Sequence, residues 1–402
     1  GGEREQATGA AGSLLVDLLS EDVMVELMGA FLTPAEVGRV ARSCRFFRQV
    51  CVTNSASSEK LWKAVCFRLW PLRSSLNGSE ARDWRTFSLE RQTCDRRWEK
   101  GLRGSPAVST MIKSDESPVF NVHKRGDMVA SAEDCCVRIW DLARKTCQKT
   151  FACNSSGNRM VLGVFLTEDQ STVLSGGADG DIKVWDVKRG TCGRVLTGHS
   201  GAVVTLKADA NKIVSTSFDG TCKVWSWRGR CEQTLIGHRG HVCGLSFQES
   251  EPRNVWTGAD DGLVKCWDIE TAQCLTTLEQ QGGSVWCVEA GHSSLLTGAT
   301  DASVRIWDVL SGRQVAQLAG HVEAVAGLQS DDRKILTSAF DGTMRVWDWR
   351  NPSQCLGVVV VHPAAGGASM HQRRCTRLSF GQEDDTVVIG CIDGSIYCVD
   401  VL

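Results

Sequence analysis

The chain has 402 residues, 42% of them hydrophobic, and a formal net charge of -2. Length and apolar content support two or three domains with a sizeable core. The even balance of 45 basic and 47 acidic residues excludes a global basic field for nucleic acid, and no apolar run reaches the ~20 residues needed to span a bilayer.

In chain order, residues 1–13 are polar and rich in Gly and Ala, which predicts a disordered lead. Residues 14–32, LLVDLLSEDVMVELMGAFL, place Val23, Leu27 and Phe31 at helical spacing. Ser20 can cap this helix, with Glu21 and Asp22 at the positive end of its dipole. Thr33-Pro34 opens a second helix with Pro34 in its first turn, and Val37, Val40, Ala41 and Cys44 form its apolar side. A third short helix is expected from Phe46 to Val50, and amphipathic stretches follow near 58–70 and 80–100. Arg39, Arg42, Arg45 and Arg48 recur every three residues and read as a solvated ridge. Three short helices make a marginal core and leave aliphatic surface that needs a partner.

Beyond residue 106 the pattern changes to a repeat. Six segments end in Trp followed by Asp or Ser, at Trp140, Trp185, Trp225, Trp267, Trp307 and Trp347, and a seventh has Val399 in that place. The intervals are 45, 40, 42, 40, 40 and 52 residues, against roughly 40–45 for a four-stranded propeller blade. An Asp lies six positions before each mark (Asp134, Asp179, Asp219, Asp261, Asp301, Asp341 and Asp393), and five of these seven precede Gly. Asp-Gly suits a tight turn between antiparallel strands. Gly-His recurs at 198–199, 237–238 and 320–321. The third strand of the seventh repeat ends close to Leu402, and the one unassigned strand-like segment is 106–112. That segment is expected to close the ring as the outer strand of blade seven.

These residues resemble the WD-repeat propeller family over 106–402. The resemblance implies buried tetrads of loop His, strand hydroxyl, turn Asp and Trp. By position these are His199, Ser215, Asp219 and Trp225; His238, Thr257, Asp261 and Trp267; and His321, Thr337, Asp341 and Trp347. Three copies at blade spacing mark a structural unit, not a hydrolase triad. Blades two and five keep Ser175 and Thr297 but lack the His. Blades one and seven show Ala130 and Ile389 at the hydroxyl position, so packing is expected to hold them.

Residues 14–65 resemble an F-box: Leu19-Ser20, then Val23, Leu27, Phe31 and Leu32, then Pro34, Val37 and Val40, then Cys44-Arg45-Phe46, then Leu61-Trp62. Ser20 stands where the family carries Pro, and residues 52–59 lengthen the approach to Leu61. Residues 66–105 follow as a helical linker. The expected chain is therefore α+β, with N-terminal helices followed by an all-β seven-bladed propeller. The resemblance implies the substrate-recognition subunit of an SCF-type cullin–RING ubiquitin ligase. Leu19, Val23, Leu27, Phe31, Leu32, Pro34, Val37, Leu61 and Trp62 would dock the adaptor, and the propeller would capture a protein substrate. The alternative is a WD-repeat scaffold with a degenerate F-box.

The expected partners are the adaptor, with it cullin and RING subunits, and a protein or peptide, with no nucleic acid and no membrane. No catalytic residue, metal site or cofactor is expected. Nineteen cysteines show no paired metal spacing and read as reduced thiols of a cytoplasmic or nuclear protein. At the mouth over the axis, 21 positions flanking the turns and opening the inner strands include no Arg or Lys. Substrate contacts are expected from Phe120, Phe218, Trp286 and Phe340, with acidic spots at Glu133 and Asp260. The loop 362–374 would add Arg373 and Arg374.

Overall fold

In the computed structural model, residues 107–113, 117–153, 160–248, 251–279, 282–291, 293–331, 334–349, 351–361, 374–380 and 386–400 are described. The positions expected to dock an adaptor, from Leu19 to Trp62, the expected linker, Arg373 and residues 362–372 lie outside them. Among the described residues, 28 strands form seven four-stranded antiparallel sheets.

Blade one holds β2 (Asn121–Arg125), β3 (Met128–Ala132), β4 (Cys136–Asp141) and β5 (Thr146–Ala152), from the axis outward. Blade two holds β6 (Val161–Leu166), β7 (Thr172–Gly177), β8 (Ile182–Asp186) and β9 (Thr191–Leu196). Blade three holds β10 (Val203–Ala208), β11 (Lys212–Ser217), β12 (Thr221–Ser226) and β13 (Cys231–Ile236). Blade four holds β14 (Val242–Gln248), β15 (Glu251–Ala259), β16 (Val264–Asp268) and β17 (Gln273–Leu278). Blade five holds β18 (Val285–Ala290), β19 (Ser294–Ala299), β20 (Val304–Asp308) and β21 (Gln314–Leu318). Blade six holds β22 (Val325–Ser330), β23 (Lys334–Ala339), β24 (Thr343–Asp348) and β25 (Asn351–Val360). Blade seven holds β26 (Cys375–Phe380), β27 (Thr386–Cys391) and β28 (Ser395–Asp400). Its outer strand is β1 (Ala107–Lys113), which pairs with β28 from Ala107 opposite Asp400 to Lys113 opposite Ser395.

A sheet with two apolar faces must be covered on both. Each inner strand packs on the next around the axis, and β26 returns to β2. The apolar clusters lie between blades: Leu174, Ile182 and Leu196 of blade two meet Val203, Ile213 and Trp225 of blade three. Leu336, Met344 and Val346 of blade six meet Leu378, Val387 and Ile389 of blade seven.

Close approach at the axis sets one sequence choice. The equivalent position of successive inner strands, opposite the residue that follows the hydroxyl position, reads Asn121, Gly163, Thr205, Gly244, Cys287, Gly327 and Arg377. Glycine alternates with a larger residue. A Cβ on Gly163 would sit 2.6 Å from the Val204 carbonyl oxygen, and one on Gly327 would sit 2.9 Å from the Leu378 nitrogen. Seven is odd, so alternation fails once. It fails where blade seven meets blade one, with Arg377 beside Asn121. There Thr376 Oγ1 donates to the Val119 carbonyl at 2.8 Å.

Removing residues 107–113 leaves β28 as an open edge. The truncated chain should lose at least about 5 °C in Tm, since about 2 kcal/mol moves a domain of this size that far. It should also oligomerise in size-exclusion chromatography. Unchanged thermal unfolding would contradict a latch role for this strand.

Candidate functional site

Antiparallel order fixes which residues share an end of the ring. The turns between the second and third strands, and the loops between blades, lie at one end. The turns between the first and second strands, and between the third and fourth, lie at the other. The first end carries the tetrads and the aromatic mouth.

In blade three, Trp225 Nε1 donates to Ser215 Oγ at 2.8 Å, and His199 Nε2 lies 2.8 Å from the same oxygen. His199 Nδ1 lies 2.7 Å from Asp219 Oδ2. Ser215 has one proton to give, so the consistent network is a neutral imidazole that accepts at Nε2 and donates from Nδ1. Burial lowers the His199 pKa, which favours that neutral form. Asp219 also accepts from Thr221 Oγ1 at 2.6 Å and Ser200 N at 3.0 Å. These bonds outweigh its burial and hold its pKa at about 2. Blade four repeats the unit with His238, Thr257, Asp261 and Trp267, and blade six with His321, Thr337, Asp341 and Trp347.

Blades without the His use another solution. A cation sits two residues before each Trp: Arg138, Lys183, Lys223, Lys265, Arg305 and Arg345. In blades three and four, Lys223 and Lys265 donate outward to Thr234 and Thr277 at 3.0 Å each. In blades two and five the cation turns to the Asp instead, with Lys183 3.7 Å from Asp179 and Arg305 2.7 Å from Asp301. Trp185 and Trp307 still donate to Ser175 and Thr297.

Blade one corrects two expectations. Its hydroxyl is Ser131, not Ala130, because the turn to β4 is one residue shorter than the others. Trp140 Nε1 donates to Ser131 Oγ at 2.9 Å, and Ser131 Oγ donates to Glu133 at 2.8 Å. Arg138 meets the other Glu133 oxygen at 2.8 Å. Glu133 is 0% exposed and fills the role of the turn Asp, so it does not line the mouth, and blade one has a polar lock. Blade seven keeps Ile389 at the hydroxyl position, opposite Tyr397 and within an apolar cluster with Val399.

The mouth has two unlike sides. Across blades three and four, Phe218 is 40% exposed and stacks on His241 at 4.3 Å, and His241 Nδ1 lies 3.1 Å from Asp260. Across blades five to seven, Trp286 meets Phe340 edge-on at 5.2 Å. The Arg374 guanidinium lies 4.9 Å over the Phe340 ring and reaches Glu323 at 4.0 Å. Phe120 is half-buried at the start of blade one. Sequence reasoning missed His241, Glu323 and Arg377.

Arg377 contributes a cation in the channel, one position beyond Thr376. Its guanidinium crosses the axis to Thr205 Oγ1 at 3.3 Å and the Trp286 carbonyl at 3.4 Å. Lys207 bridges to Glu289 at 3.1 Å, which leaves an axial cavity of about 110 Å³. His123, lining this cavity, is pushed down to about 3 by burial and by Arg125 and Lys207.

Thiols fall into two groups. Nine described cysteines are buried, and burial pushes Cys136 and Cys266 up to about 12. Five others, including Cys147, Cys192, Cys231 and Cys274, are exposed. Cys147, Cys192, Cys231, Cys274 and Cys355 each pair with a blade Trp from the outer strand. Among the described residues no three His, Cys, Asp or Glu side chains form a metal-binding group.

Lowered pKa values fix the sign of the acid response. His123, His199 and His238 bind protons less readily folded than unfolded, so their contribution is complete above about 6.5 and is lost as pH falls towards their folded values. Asp219 and Asp341, both held at about 2, contribute above about 3.8 and lose it as pH falls to 2. Urea midpoints should therefore be flat between about pH 7 and 8 and fall in two stages below that range. They should fall again above about pH 9, where the unfolded thiols ionise and the buried Cys136 and Cys266 do not. Replacing Glu133 by Ala removes the carboxylate that bonds both Ser131 and Arg138 and should cost about 3 kcal/mol in the same titration at pH 7.

Comparison with known sequences places these features in a family. The WD domain, G-beta repeat, matches residues 108–141, 145–186, 190–226, 229–268, 272–308 and 312–348. Each matched unit begins near an outer strand and ends with the third strand of the following blade, so the repeat is offset from the blade by one strand. A DENN domain and WD repeat-containing protein SCD1 from Arabidopsis thaliana is 32% identical over 171 residues, 42% of this chain and 14% of that protein. Nuclear distribution protein nudF from Aspergillus niger is 28% identical over 188 residues, 41% of this chain and 42% of that protein. Autophagy-related protein 16 from Arabidopsis thaliana is 29% identical over 176 residues, 43% and 31% respectively. The chain thus spans less than half the length of each of these relatives. It belongs to the WD-repeat family, and its repeats close into a seven-bladed propeller.

Proposed function

We propose that this chain is a non-catalytic protein-binding subunit that captures a protein partner at the mouth carrying Phe218, Trp286, Phe340 and Arg374. One observation carries the reading. The tetrad His and Asp side chains at this end are consumed by bonds within the blades, whereas Phe218, His241 and Asp260 present exposed aromatic and charged surface. Aromatic and Arg side chains in half-buried positions are the usual anchors of protein interfaces. The pairs His241–Asp260 and Arg374–Glu323 present charges of both signs, so a partner with a hydrophobic anchor and mixed charge fits best.

The F-box-like pattern of residues 14–65 extends this reading to a substrate receptor of a cullin–RING ubiquitin ligase. A receptor of that kind raises the local concentration of target lysines and performs no bond chemistry itself. A scaffold without ligase association is the second reading. It is favoured by relatives whose names place WD repeats beside a DENN domain, in nuclear distribution and in autophagy.

Affinity purification from cells with the proteasome blocked separates the two. The receptor should retain the SCF adaptor and cullin and lose both when Leu27, Phe31 and Trp62 are changed to Ala. Recovery of partner protein without adaptor or cullin would leave the scaffold. Changing Phe218, Trp286 and Phe340 to Ala should reduce partner capture by at least about tenfold, or about 1.4 kcal/mol, with unchanged circular dichroism. Undiminished capture would place the site elsewhere.

A further inference from the structure

We propose that the cleft between blades two and three, at the end opposite the aromatic mouth, is a second docking site, shaped for a basic peptide segment. It encloses about 510 Å³, against about 110 Å³ for the axial cavity. That volume takes a long side chain with flanking backbone.

Three turns build it: the one linking β6 to β7, the one linking β10 to β11, and the one linking β12 to β13. All three lie at the end away from Phe218 and Phe340. Phe165 and Trp227 supply aromatic wall, and Ala208 keeps the floor shallow. The Trp227 indole is held in place, because its Nε1 donates to the Asp209 carbonyl at 3.0 Å. Trp349 in blade six makes the same bond to Asp331.

Charge selects the occupant. Glu168, Asp169 and Asp209 line the cleft. Asp169 accepts from the Thr167 and Ser171 hydroxyls at 2.6 Å each, which holds its carboxyl below the usual range and fixes its charge. Asp209 Oδ1 accepts the Asn211 and Lys212 amides. Glu168 is 88% exposed at its side chain, and Arg125 approaches it only to 4.0 Å. Lys212 is turned towards Glu232. The lining holds three carboxylates and no Lys or Arg. The cations around it, Arg125, Lys212 and Arg194, turn to Glu168, Glu232 and the Trp227 carbonyl. The lining therefore favours an incoming guanidinium or ammonium, which the indole face also attracts. An acidic or phosphorylated segment meets repulsion at the same place. A ring with recognition surfaces at both ends can hold two proteins at once.

The test uses the whole 402-residue chain and a fluorescein-labelled hexapeptide of alternating arginine and leucine, read by anisotropy. Saturable binding with Kd of about 10–100 μM is expected, weakening as salt rises because exposed charges are screened. Glu168→Lys, at an exposed position, should weaken binding by about tenfold or more with unchanged Tm. Trp227→Leu should weaken it as well. The same peptide with glutamate for arginine should not bind. Equal affinity in Glu168→Lys, or equal binding of the glutamate peptide, overturns the proposal. The triple mouth variant should keep the arginine peptide while losing its partner, so the two surfaces fail independently.

Discussion

The structure depends on burying both faces of every sheet around one narrow axis. A blade has no stable existence with a free apolar face, so seven blades stand only as a closed ring. Closure is achieved by exchange: the first described strand, β1, pairs with the last, β28. The covalent chain thereby fastens its own seam. The axis imposes a second demand, met by glycine at alternate inner strands. Because the ring is odd, two large residues must meet once, and they do so where blade seven faces blade one, at Arg377 and Asn121. Arg377 extends across the channel to blades three and five. Blade seven thus also supplies a cross-axis tie.

Within blades, the conserved geometry is the Trp–hydroxyl bond rather than the full tetrad. Six of the seven blades make it, through Ser131, Ser175, Ser215, Thr257, Thr297 and Thr337. What neutralises the turn acid varies. A His hydrogen bond serves three blades, and Arg or Lys two positions before the Trp serves the other three. A buried carboxylate needs a donor or a cation, and either satisfies it. The seventh blade drops the polar device and fills the space with Ile389, Tyr397 and Val399. Its repeat is also the one that the family pattern does not match.

Much of this was legible in the sequence, because a 40-residue period and an Asp six positions before each Trp are spacings, and spacing survives folding. The three full tetrads follow from position alone. Blade one did not, since a turn shortened by one residue moves every side chain to the next register place. Counting back by the common interval gives Ala130 and an exposed Glu133. The structure gives Ser131 and a buried one. Arg377 was missed for a related reason: every inner strand except β2 carries an irregularity near its start, so in blade seven the residue that reaches the axis is one beyond the position that a strict alternation selects. The compensating cations were visible at Arg138, Lys183 and Arg305, but their partners depend on side-chain direction, which spacing does not carry.

Function lies further from the sequence pattern than fold does. The residues most periodic in this chain are the ones its blades consume, so periodicity marks what is unavailable for binding. The residues left for partners are those that differ between equivalent positions: Phe218, Asp260, Thr300 and Phe340 at one end, and Trp227 with Glu168 and Asp169 at the other. On a closed ring the two ends are separated by the same sheets that hold it together. Neither end needs to move for the other to bind, and occupancy at one leaves the other available. This suits the proposed capture of protein partners, for which the variation among blades, rather than their likeness, is where specificity would be written.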